Sequence, residues 1–159
     1  MQGVFESGNG ILHSNTIEFT ISNPSGLESD AHDMLRRAFD EFLDRRYDVA
    51  IKTFGSLRAT YPASAYCPMS YIWEMSIYRS DLRDHRKADE IADTLIQKYP
   101  DTDEGVSGLL HYISRTPRET KNRQKRLDIL NTTIERHSNG KVGVYARKIL
   151  KKELSKEQH

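Results

Sequence analysis

The chain has 159 residues, 36% of them hydrophobic and 30% charged, which suits one domain with a thin core and excludes two large ones. Its 24 Lys and Arg against 23 Asp and Glu leave a formal charge of +1, so the overall balance gives no electrostatic case for nucleic acid or an anionic membrane. A single cysteine, Cys67, excludes an intrachain disulfide and a multi-cysteine zinc site, and no apolar run approaches the roughly 18 residues that span a bilayer.

The charges are not spread evenly. Residues 1–114 carry 11 basic and 18 acidic side chains, whereas residues 115–159 carry 13 basic and 5 acidic ones. Met1 to Ser29 lacks the basic start and continuous apolar stretch of a signal peptide. The chain as written therefore reads as cytoplasmic, and as periplasmic or envelope-associated if a leader was removed.

In chain order, residues 1–28 read as an extended arm, either disordered or strand-like. The period-2 run Thr16-Ile17-Glu18-Phe19-Thr20-Ile21 is its strand candidate. Residues 29–159 then change to helical spacing. Asp30 is expected to cap a first helix that ends near Arg45-Arg46, and a second runs from about Tyr47 to Tyr61, stopped by Pro62. Pro68 pre-sets the start of a third, and a fourth covers about Asp84 to Tyr99. Thr102 opens a fifth, which ends before the Thr116-Pro117-Arg118-Glu119 capping box. The sixth extends to about His137, and after the Ser138-Asn139-Gly140 turn a seventh covers roughly Lys141 to Lys156.

These helices repeat. Tyr47, Ala50, Phe54, Leu57 and Tyr61-Pro62 recur at one constant interval as His85, Ala88, Ala92, Leu95 and Tyr99-Pro100. At the same interval, a third copy replaces Tyr99-Pro100 with His137-Ser138. A helix pair that cannot cover its own apolar stripe stacks on its neighbours, and small residues such as Ala50 and Ala88 allow close approach. Seven helices make three pairs and a terminal cap.

The pattern Tyr47-x-x-Ala50-x-x-x-Phe54-x-x-Leu57 followed by Pro62 resembles the tetratricopeptide repeat family. The long interval from Tyr61 to Tyr99 and the Tyr61-Pro62-Ala63-Ser64 and Tyr99-Pro100-Asp101-Thr102 junctions look more like the subset found in bacterial envelope proteins, such as the outer-membrane assembly lipoprotein and the Tol-Pal coordinator. Departures are Arg37 and Glu41 at first-helix core positions, Ala92 in place of a larger residue, and a third copy without the alanine and proline. The resemblance implies an all-α fold, a right-handed α-solenoid whose first helices line a concave groove for a peptide or partner helix. By matching offsets, Leu35, Phe39, Trp73, Ile77 and Tyr112 would face it, with Trp73 the best anchor because a large aromatic with a polar edge suits a partly exposed site.

No residues nominate catalysis. Gly8-Asn9-Gly10 lacks the context of a nucleotide loop, and the six histidines show no metalloprotease spacing. Neither a metal nor another cofactor is expected, and the chain reads as a non-catalytic adaptor for another protein. The alternative is a basic module over residues 115–156 for nucleic acid or an anionic membrane surface. It would be built on Arg118, Lys121, Arg123, Lys125, Arg126, Arg147, Lys148, Lys151 and Lys152. The charge asymmetry also suggests head-to-tail homo-oligomers, and the apolar residues Ile17, Phe19 and Ile21 suggest an arm that occupies the groove.

Overall fold

The computed structural model of the chain describes residues 4–7, 10–13, 25–116 and 120–155. Strands β1 (Val4–Ser7) and β2 (Gly10–His13) pair antiparallel. From Leu27 onward the regular elements among the described residues are all helices, so the body of the fold is all-α. The helices are α1 (Leu27–Leu43), α2 (Tyr47–Thr60), α3 (Cys67–Ser76), α4 (His85–Lys98), α5 (Asp103–Arg115), α6 (Thr120–Arg136) and α7 (Lys141–Ser155). The strand expected over residues 16–21, and with it the arm in the groove, lies outside the described residues.

The expected punctuation holds at most boundaries. The Thr102 hydroxyl accepts the Gly105 amide at 3.1 Å, and the Asp84 carboxylate accepts the Lys87 amide at 3.1 Å, each satisfying an orphan donor of a first turn. Pro68 sits in the first turn of α3, where its missing N–H costs nothing. The start of α1 is a correction. The helix begins at Leu27 behind Gly26, which takes a left-handed φ of 58°, so Asp30 lies inside the first turn and favours the helix through the dipole instead of capping it.

The sequence interval is carried into three dimensions. Each helix pair ends with the same hydrogen bonds: Tyr61, Tyr99 and His137 donate backward to Leu57, Leu95 and Thr133, and their carbonyls accept from Ser64, Thr102 and Gly140. The buried positions follow the same register. Ala50, Phe54 and Leu57 of α2 correspond to Ala88, Ala92 and Leu95 of α4 and to Arg126, Leu130 and Thr133 of α6, and every one of them is buried. Arg45 and Arg83, one interval apart, both take left-handed φ values of 60° and 54° in the loops after α1 and α3.

A third recurrence is steric. At Gly105, and one interval later at Gly143, a Cβ would stand inside van der Waals distance of the Tyr99 and His137 carbonyl oxygens. The helix that follows each junction thus crosses directly over the end of the previous one. At the first junction the same place is taken by Cys67, whose thiol donates to the Tyr61 carbonyl at 3.1 Å.

Three apolar clusters run along the chain and hold neighbouring helices together. Ala38, Ala50, Phe54 and Ile77 join α1, α2 and the end of α3. Met75, Ala88, Ile91, Ala92 and Leu95 join α3 and α4, and Ile96, Val106, Leu109, Leu130, Val142 and Ala146 join α4 to α7. Partly buried Tyr112 packs against both of the last two.

Candidate functional site

The α3 helix is the centre of the site, and its C-terminal end is unusual. Residues Ile77–Asp81 form a π-helical turn, in which the Leu82 amide donates to the Ile77 carbonyl at 3.0 Å. Such wide turns change where the following side chains point and recur at functional sites. Here the turn sends Ile77 into the core and leaves Arg79 on the surface beside α5. The Tyr47 hydroxyl fixes the turn from below, donating to Asp81 at 2.8 Å.

Between α3 and α5 lies a groove of about 340 Å³. Trp73, Ser76 and Arg79 form one wall, and Ser107, Leu110 and His111 form the other. Trp73 is half-buried, its ring 4.7 Å from Phe39 and 5.7 Å from Phe42 between centroids, so two α1 aromatics brace the anchor. Leu110 keeps 41% of its surface exposed, large for a leucine beside a groove.

His111 sits at the base of this groove with only 1% of its side chain exposed. Its Nε2 lies 2.8 Å from the Asp89 carboxylate, which also accepts from Arg115 at 2.9 Å, while the Tyr112 hydroxyl donates to the Asp89 carbonyl at 2.9 Å. Burial holds the His111 pKa below its ordinary value, with Arg115 and Arg79 acting in the same sense against the pull of Asp89. A neutral imidazole that donates from Nε2 to Asp89 offers a lone pair at Nδ1, and this atom has no hydrogen-bond partner among the described residues. An orphaned buried acceptor costs free energy until a donor reaches it.

The groove continues past α5. A larger cavity of about 970 Å³ shares Leu110 and Ser114 with it and extends to Ile113, Tyr145, Ile149 and Lys152 between α5 and α7. A separate cleft of about 460 Å³ lies between α4, α5 and α6, with Ile96, Tyr112 and Ile129 at its base and a rim of mixed charge.

These positions sort the residues expected from sequence. Trp73 lines the groove; Leu35 packs against the α1–α2 cluster, and Phe39 packs on Trp73. Ile77 leaves the groove set, because the π-helical turn buries it completely beside Ala38, Ala50 and Phe54. Tyr112 leaves it too: it lies on the other flank of α5 and lines the α4–α6 cleft. The groove residues missed by the offset argument are Leu110, His111 and Arg79. His111 stands one repeat interval after Trp73, as Trp73 does after Leu35, so the register points to His111, and Tyr112 lies one position past it.

The basic stripe also divides. Lys148, Lys151, Lys152 and Arg147 are exposed on α7, and Arg147 donates to the Ser138 carbonyl at 2.6 Å. Arg126 is the correction: it is buried to 4% exposure and paired with Glu153 at 2.8 Å, because it fills the position held by Ala50 and Ala88 in the other copies. Lys125 lines the α4–α6 cleft, Arg123 is half-buried, and Arg118 and the Lys121 side chain lie outside the described residues.

Among the described residues, no three His, Cys, Asp or Glu side chains group as a metal site, and no helix is long and apolar enough to cross a membrane. Set against known family models and curated proteins, the sequence matches none.

Proposed function

We propose that the chain is a non-catalytic helical-repeat adaptor that holds a segment of another protein in the groove between α3 and α5. The observation that carries this reading is the composition of the groove: an aromatic anchor, Trp73, an exposed Leu110 and the polar side chains of Ser76, Arg79 and Ser107. Ligand grooves combine apolar area with a few fixed polar groups that set orientation, which Ser76, Arg79 and Ser107 supply here.

The recurrence of junctions, buried positions and left-handed loops at one interval supports a solenoid of the tetratricopeptide kind. In such a solenoid α1, α3 and α5 share the groove side. The Tyr-Pro junctions make assembly of a bacterial envelope complex the setting in which to seek the partner. The nucleic-acid reading is less favoured, because Arg126 is committed to Glu153 and Lys141 to Asp103 at 2.6 Å.

A photo-crosslinking amino acid placed at Leu110 tests the reading in cells of the native host. Covalent adducts with a polypeptide are expected at position 110 and not at exposed Lys52 on α2. Adducts with nucleic acid alone, or equal labelling at both positions, would overturn it.

A further inference from the structure

The α5–α7 cavity gives the partner a chemical character. Its apolar lining is formed by Leu110, Ile113, Tyr145 and Ile149, above the buried Thr116 and Arg126. On α7, Tyr145, Lys148, Ile149 and Lys152 stand at i, i+3, i+4 and i+7, so one helix face alternates oily and cationic groups. Across the walls of this cavity and of the α3–α5 groove, Arg79, Lys148 and Lys152 are exposed cations. Among the described residues, the one carboxylate in either wall is Glu153, which is engaged by Arg126 at 2.8 Å. Lys148 and Lys152 also repel each other at i, i+4, a cost that an anionic ligand would relieve.

We propose that the bound segment is an acidic amphipathic helix of a partner protein. Its apolar side lies on Leu110, Ile113, Tyr145 and Ile149, and its carboxylates meet Lys148 and Lys152 on α7 and Arg79 across α5. Charge complementarity argues for the acids, and the four apolar side chains of the lining argue for a helix face over a phosphate backbone, which needs cations but no apolar contact. The inference rests on the adaptor reading and adds the partner's chemistry to it.

A display library of random peptides about four helical turns long, panned on the full chain, provides the test. Bound clones are expected to be enriched in Asp and Glu spaced with apolar residues at helical intervals. Their affinity should fall about ten-fold in the Lys148→Glu, Lys152→Glu double variant, which should instead select Lys- and Arg-bearing clones. Leu110→Ser should weaken both sets. Circular dichroism checks that the variants, all at exposed positions, keep the fold.

Clones that depend on Leu110 but show no acidic enrichment overturn the partner's chemistry and leave the adaptor reading standing. No enriched clones, or clones indifferent to Leu110, overturn both. A single-stranded oligonucleotide that binds with a steep salt dependence and ignores Leu110→Ser would assign the α7 cations to phosphates and overturn the inference. So would self-association of the chain that the double variant abolishes, because the occupant would then be a second copy.

Discussion

Gly105 and Gly143 are two places where a single methyl group would force neighbouring helices apart, since each faces a carbonyl oxygen of the preceding junction. Backbone cannot swing aside as a flexible side chain can, so Gly105→Ala or Gly143→Ala should cost about 2–3 kcal/mol of stability in urea unfolding. A loss below about 0.5 kcal/mol would mean that the junction is looser than its geometry indicates. His111 sets a second expectation. Burial lowers its pKa, so the unfolded chain binds the proton more readily, and stability is complete above the ordinary imidazole value of about 6.5. As pH falls from there toward the lower folded value, stability is lost. Wild type should therefore lose more stability between about pH 7.5 and about pH 5.5 than His111→Gln, with unfolding at each pH as the measurement. None of these residues stands out in the sequence. A glycine in a helix start is common, and a histidine's burial depends on α3 and α4 closing over it.

At the level of the element, α6 shows how a repeat tolerates a residue that breaks its pattern. The small residue at this register lets α2 and α4 approach their partners, while α6 places Arg126 there and brings a counter-ion from α7. Glu153 keeps only 13% of its side chain exposed, so removing it takes a carboxylate partner from a buried cation. Glu153→Ala should destabilise by about 3 kcal/mol, and adding Arg126→Ala should recover a large part of that loss, as a double-mutant cycle would measure. A double-variant loss equal to the sum of the two single losses would show that the two side chains contribute independently. The register of Ala50 and Ala88 already marks position 126 as internal, although composition alone places Arg126 with the surface cations. The π-helical turn after α3 has no such signal. It arises where the end of the helix meets α1 and α2, and no residue in Ile77–Asp81 announces it.

Across the whole molecule, helix boundaries were legible to within a few positions because caps, prolines and the constant repeat interval act locally. Which side chains meet in the groove was legible only in part, since that depends on how successive helices rotate about one another. Neighbour-to-neighbour packing makes stability additive along the chain. Stopping the chain at His137 removes Val142 and Ala146 from the cluster they share with Val106, Leu109 and Leu130. Hydrogen exchange should then quicken in α5 and α6 and stay unchanged in α2, whereas uniform acceleration would mark a single cooperative unit.

The matched carbonyl contacts beneath Cys67, Gly105 and Gly143 also act as a coupling of standard gauge. A duplicated stretch from Ser64 to Asp101, spliced in tandem, would meet the same fitting at each end, so the protein could be lengthened by one unit without redesigning its joints.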